Sequence, residues 1–238
     1  MNNTPPKSIV SKVLAPALKL WLATQVEEIE GLQINISGSN RQIMGGYIPK
    51  ILLKCDHAIY QGLHLNKTEL EGENIRINIG QVIKGKTLKL LEPVLVKGEA
   101  LLLAKDLQAS LSAHLLSTAL KDLLLSFTPA NQDQSKKDFG NDKQINWHEI
   151  KIDAGKLTLT GSFQGTEAPK LPILLRSGLN LVNPHELSLN PISIETPELG
   201  CISINNHKIK LGEQVHLEEL KVVPGQVFCR GSLTVVVD

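Results

Sequence analysis

The chain has 238 residues, a formal net charge of +1, 42% hydrophobic and 21% charged residues. That is enough sequence for one large domain or two small ones with a proper core, and too apolar for a disordered chain. The near-neutral charge excludes a general nucleic-acid binder, and eight aromatics are too few for base-stacking platforms or aromatic-lined sugar sites. Leu, Ile and Val number 39, 21 and 14, so the interior is aliphatic.

Residues 1–7 contain no apolar run and are expected to be disordered. Lys12 and Lys19 interrupt the apolar stretch that follows, and nowhere do eighteen apolar residues run together. Neither a signal peptide nor a transmembrane helix is therefore expected. A cytoplasmic location, with at most peripheral membrane contact, is the resulting expectation. Three separated cysteines (Cys55, Cys201, Cys229) without a CxxC spacing agree with structural thiols in a reduced compartment, and a single bridge stays open.

Residues 8–30 read as a long amphipathic helix. Ile9, Val13, Ala17 and Leu20 recur at helical spacing, and so do Leu14, Leu18, Trp21, Leu22, Val26 and Ile29. Pro16 either kinks this helix or marks the first turn of its main part, and Gly31 is its expected stop. Glu27, Glu28 and Glu30 then form a solvated helix end. From Leu32 the period changes to two, at Leu32-Ile34-Ile36, Ile75-Ile77-Ile79, Leu157-Leu159, Leu187-Leu189, Ile192-Ile194, Ile202-Ile204 and Ile209-Leu211. Such alternation marks half-buried antiparallel strands. Gly45-Gly46, Gly72, Gly85, Gly98, Gly155, Gly165, Pro184 and Gly212 are read as their turns. Residues 104–126 form a second helical segment with Asp106 as N-cap and a break near His114. Residues 129–144 are polar and without period, hence a flexible loop.

An internal repeat is visible. Residues 149–163 and 219–233 share five identities without a gap: Glu149/Glu219, Lys151/Lys221, Gly155/Gly225, Gly161/Gly231 and Ser162/Ser232. Each copy reads as strand, glycine turn and returning strand, one hairpin used twice.

Motifs for chemistry are missing. The seven histidines are scattered, with no metal-binding pair at helical spacing. There is no nucleophile elbow, no phosphate-binding loop and no GxGxxG. The expectation is a protein that is not an enzyme and takes no cofactor or metal. Two features remain. Lys12 and Lys19 share a face of a Trp-bearing apolar helix, the composition of a segment that lies at a membrane surface. Arg76, Lys84, Lys86, Lys89, Lys97 and Lys105 outnumber Glu92 and Glu99 over residues 76–105, a local positive excess able to attract phosphates.

Residues 11–22 (SKVLAPALKLWL), 59–65 (IYQGLHL), 72–82 (GENIRINIGQV), 96–98 (VKG) and 106–111 (DLQASL) resemble the LmeA-like phospholipid-binding family, over most of the chain from about residue 8. The resemblance implies an α+β, tubular lipid-binding-like fold. In it a long N-terminal helix packs on one strongly curved antiparallel sheet, and phospholipid is held between them without catalysis.

The expectation for residues 8–238 is therefore a single domain holding phospholipid or another long-chain lipid in an elongated aliphatic cavity. Leu14, Leu18, Trp21 and Leu22 would line one side, and Ile75, Ile77, Ile79, Leu157 and Leu159 the other. Lys12, Lys19, Lys84 and Lys86 would meet headgroups or a membrane surface. The competing expectation is a protein-interaction or scaffold module with a fully packed core.

Overall fold

The computed structural model describes residues 13–125, 144–164, 171–197 and 200–237. The expected disordered segment 1–7 lies outside these residues, and so does the expected loop 129–144 apart from Gln144, which begins a strand.

The first half contains α1 (Ala15–Gln25), β1 (Glu28–Glu30), β2 (Gln33–Ser37), α2 (Asn40–Met44), β3 (Tyr47–Tyr60), β4 (Leu63–Arg76), α3 (Ile79–Val82), β5 (Val94–Leu103), α4 (Ala104–Ala109) and α5 (His114–Leu125). Among the described residues the second half holds only strands as regular elements: β6 (Gln144–Asp153), β7 (Lys156–Gln164), β8 (Leu171–Asn183), β9 (Glu186–Thr196), β10 (Gly200–Ile204), β11 (His207–Lys210), β12 (Val215–Val223) and β13 (Gln226–Val235).

These strands make two antiparallel sheets, not the one curved sheet expected. A seven-stranded sheet has the order β1-β3-β4-β5-β13-β12, with β2 also on β3. A six-stranded sheet has the order β10-β9-β8-β7-β6, with β11 also on β9. Neither sheet is closed.

The repeat found in the sequence joins them. Hairpins β6–β7 and β12–β13 bulge at matching places, between Trp147 and Glu149 in one and between Leu217 and Glu219 in the other. Their tips turn on Gly155 (φ +68°) and Gly225 (φ +80°), a backbone region that glycine enters without penalty. The tips then bond each other reciprocally: Gly155 N–H donates to Val222 O and Gly225 N–H to Ile152 O, both at 2.9 Å. The last hairpin of the chain thus extends the first sheet and fastens it to the second.

Several sequence expectations need correction. The N-terminal helix is short. Val26 is already extended (φ −129°, ψ 152°), and Glu28–Glu30 pairs with His57–Ile59 as β1. β-branched Val26 and Ile29 fit a strand better than a helix. Glu28 and Glu30 therefore sit on a strand, with Glu27 in the bend before it, and Gly31 (φ +63°) follows β1 instead of ending the helix. Pro16 does lie in the first turn of α1. Residues 104–125 form two helices separated by a 3₁₀ turn (Ser110–Ser112), with Ala113 extended just before His114. Asp106 is the third residue of α4, not its cap, and its carboxylate accepts the Leu103 N–H at 3.0 Å. The strand expected through Ile79 ends at Arg76. Asn74 there has φ +56°, and beyond it Ile79 opens α3. Gly72 and Gly98 lie inside strands. A Cβ on Gly98 would stand 2.5 Å from Leu70 Cδ2, so the glycine makes room for a neighbouring side chain.

Candidate functional site

Cross-strand partners point to the same side of a sheet, so the pairing register sorts the faces. On one side of the seven-stranded sheet the ladder runs Lys54, Glu69, Glu99, Arg230, Glu219. Lys54 meets Glu69 at 2.6 Å, Lys50 meets Glu71 at 2.7 Å, and Glu219 pairs with both Arg230 (2.8 Å) and Lys221. This side belongs to water. On the opposite side one ladder runs Ile34, Leu53, Leu70, Gly98, Gly231, Leu217, and the next runs Ile36, Ile51, Gly72, Val96, Leu233, Val215. Every residue there is aliphatic or glycine.

Only part of that aliphatic face is covered. Leu14 and Leu18 of α1 are buried with Ile43, Ile48, Ile51, Ile75, Ile77, Ile79, Val82, Leu88 and Val94, and Trp21, Ile34, Ile36, Leu53 and Val96 pack around them. This core lies over β2, β3, β4 and the start of β5. Further along, Ala100, Leu102, Cys229, Leu217 and Leu220 share the aliphatic face, are half-buried, and belong to neither core of the molecule. A strip across β5, β13 and β12 thus lies outside both cores among the described residues, with Val227, the cross-strand partner of Leu102, buried within it.

The six-stranded sheet is built otherwise. Ile150, Leu159, Leu175, Ile194 and Ile202 form one ladder across it, and Leu111, Leu120, Leu123 and Leu124 from the 3₁₀ turn and α5 close over that ladder. The exposed edge strand β6 is also sealed. Gln108 of α4 donates to His148 O (2.6 Å) and accepts from Ile150 N–H (2.9 Å), standing in for a neighbouring strand. Ser110, fully buried, accepts from His64 N–H (2.9 Å) and donates to Asp106 O (2.7 Å), tying this junction to β4.

The expected site residues therefore divide. Leu14, Leu18, Ile75, Ile77 and Ile79 meet one another in the α1 core, and Trp21 packs on its rim. Leu22 is half-buried and in neither core. Leu157 and Leu159 belong to the other core, under α5. Lys19, Lys84 and Lys86 are exposed, on α1 and on the segment after α3, and Lys12 lies outside the described residues. Leu102, Leu217, Leu220 and Cys229 were not among the expected lining residues. Their signal is the second-half repeat, which places β12–β13 on β5 through pairings no local pattern announces. Gln108 and Ser110 were visible only as part of the resembling stretch 106–111.

Reactive chemistry is sparse. Burial pushes the Cys55 and Cys229 thiols above their ordinary value, which disfavours the nucleophilic thiolate. All three cysteines are free. Ser162 Oγ lies 2.8 Å from His148 Nε2, but among the described residues no carboxylate is bonded to that imidazole. No group of three His, Cys, Asp or Glu able to hold a metal occurs among the described residues. An open depression of about 380 Å³ near the β8–β9 turn is lined by Asn183, His185, Glu186, Lys210, Gly212 and Glu213, none of them an expected lipid-lining residue. No helix among the described residues is long and apolar enough to cross a membrane.

A family model described as LmeA-like phospholipid-binding matches residues 7–232, nearly the whole chain. No curated protein and no solved structure matches it.

Proposed function

Because the chain belongs to the LmeA-like phospholipid-binding family, we propose that it binds phospholipid without catalysis, with acyl chains laid along the aliphatic strip of the seven-stranded sheet. The observation that carries this reading is the strip itself: Ala100, Leu102, Cys229, Leu217 and Leu220 face one way from consecutive strands, outside either packed core. An isolated half-buried leucine means little, but a contiguous aliphatic strip marks a binding surface. Each methylene removed from water there is worth about 0.8 kcal/mol, so a long chain gains on the order of 10 kcal/mol before ordering costs.

Trp21 and Leu22 stand at the α1 side of the strip in this reading, and Lys19 is placed to meet a headgroup phosphate. The site is an open face beside a helix and not an enclosed tunnel between helix and sheet. Leu14, Leu18, Ile75, Ile77 and Ile79 support it from beneath α1 instead of touching lipid.

Lipid extraction of the natively purified protein, followed by mass spectrometry, tests the proposal. Co-purifying phospholipid is expected. A fluorescent acyl probe should bind the delipidated protein, and Leu102→Ser with Leu220→Ser should weaken that binding at least about tenfold. No bound lipid together with no probe uptake would sink the proposal and favour a protein-interaction module. Ser162→Ala should leave lipid content and probe binding unchanged, because the Ser162–His148 pair has no part in binding.

A further inference from the structure

One end of the seven-stranded sheet carries a compact projection. Residues 77–91 leave β4 and return toward β5 as a loop closed at its neck by Asn78. The Asn78 side chain donates to Thr87 O (3.0 Å) and accepts from Lys89 N–H (2.7 Å), while its backbone N–H donates to Lys89 O (3.3 Å). Buried Ile79, Val82 and Leu88 anchor the loop in the α1 core. α2 stands beside it. Gly46 O, just past α2, accepts Ile77 N–H at 2.8 Å, and a Cβ on Gly46 would meet Ile77 O at 2.6 Å. The projection is therefore fixed in shape before it meets anything.

Two kinds of side chain point outward from it. Met44, Ile83 and Leu91 are 44%, 48% and 58% exposed. Arg41, Lys84, Lys86 and Lys89 are exposed cations. Residues 38–49 and 77–91 hold these four cations and not one Asp or Glu. On the charged face of the same sheet the lysines are matched, Lys50 with Glu71 and Lys54 with Glu69. The four at the projection have no ion-pair partner among the described residues.

We propose that this projection docks the protein on an anionic phospholipid bilayer. Exposed aliphatics seated among unmatched cations suit an interface in which hydrocarbon lies just beneath negative phosphates. A folded protein partner needs roughly 800 Å² of complementary surface on each side, which a small projecting loop does not supply. The inference extends the phospholipid reading by naming where the lipid comes from. The anchor of the loop also leads toward the strip: Val94, buried in the core that holds Ile79 and Val82, begins β5, whose far end carries Leu102.

Co-sedimentation of the full chain with vesicles of 30% phosphatidylglycerol and 70% phosphatidylcholine, against pure phosphatidylcholine, tests this. Binding to the anionic vesicles is expected at low salt and should fall in 0.5 M salt, where charges are screened beyond a few ångströms. Each cation near the surface contributes about a fivefold factor, so Lys84→Ala with Lys86→Ala should lower partitioning roughly 25-fold, and the Lys→Arg pair should restore it. Ile83→Trp should shift its fluorescence to the blue only with anionic vesicles. Unchanged partitioning of the alanine pair, or no blue shift, overturns the proposal. Failure of the strip reads differently: Leu102→Ser would then leave acyl-probe binding intact whatever the vesicles show, whereas the alanine pair should keep full probe binding.

Discussion

On the six-stranded sheet, the ladder Ile150–Leu159–Leu175–Ile194 is closed over by leucines of α5 and the 3₁₀ turn, and Leu175 is 2% exposed. On the seven-stranded sheet, the ladder Leu53–Leu70–Gly98–Gly231–Leu217 has Leu53 packed against the α1 core at one end and Leu217 half-buried outside both cores at the other. Both sheets alternate apart from their bulges, both end on a hairpin of the same repeat, and the two hairpin tips share hydrogen bonds. The difference between them is the helix, not the sheet. An aliphatic face that has its own leucines above it is a core, and the same kind of face outside either core is where the proposed lipid site lies.

That contrast is sharpest under truncation. Leu175→Ala should cost about 2–5 kcal/mol in denaturant unfolding, because a fully packed site leaves a cavity. Leu220→Ala, half-buried in neither core, should cost less than about 1.5 kcal/mol yet weaken acyl-probe binding. Equal destabilisation by the two would show that the strip is packed as tightly as the α5 core, and the distinction between the sheets would fall. Gln108→Ala should rank next. It strips both partners from the β6 edge and should cost about 1–2 kcal/mol, with faster hydrogen exchange at the Ile150 amide. Unchanged exchange there would mean that the edge is protected by something other than Gln108.

Much of this architecture was legible. The period of two at Leu157-Leu159 and Ile192-Ile194 named real strands, the repeat at 149–163 and 219–233 named two real hairpins, and the break before His114 was visible in the pattern. What escaped was set by distant partners. Val26 and Ile29 continue the helical spacing of α1, which hid their β-branched preference for a strand, and pairing with His57–Ile59 decides for β1. Ile77 and Ile79 continue an alternation after the strand itself has ended at Arg76. The division of the expected lining residues between two cores follows from the same cause. Alternation marks which residues of a strand share a face, but not which helix, if any, arrives to cover it. Ser110 and Gln108 carry no periodic signal, since their work is to bond backbone groups 40 or more residues away.

The cysteines sharpen the comparison with less perturbation. Cys229 faces the strip, while Cys201 is exposed on β10 of the other sheet. Burial raises the Cys229 pKa, so its thiolate fraction at pH 8 is lower than that of a free thiol, and labelling by a maleimide should be slower than at Cys201. Removing bound lipid should quicken labelling at Cys229 and leave Cys201 unchanged. Identical rates with and without lipid would place the acyl chains somewhere other than across β13.

Acid titration gives the smallest effect, and it compares one carboxylate from each sheet. The hydrogen bond from Lys221 holds the Glu219 carboxyl below its ordinary value of 4.5, with Arg230 adding to it. Lys208 does the same for Glu186 on β9, and Asn183 helps. A carboxylate whose folded pKa is lowered contributes stability that is present above its unfolded value and is lost as pH falls through the folded one. Tm should therefore drop as pH is lowered below about 4.5, and both Glu219→Gln and Glu186→Gln should flatten that drop. Both groups are open to solvent, so salt should shrink each effect. Glu219 closes the charged ladder behind the strip, on the side away from the aliphatic residues. Glu219→Gln should consequently change the acid melting profile while leaving acyl-probe binding at neutral pH as it was. A parallel loss of probe binding would mean that the two faces of the sheet do not act independently.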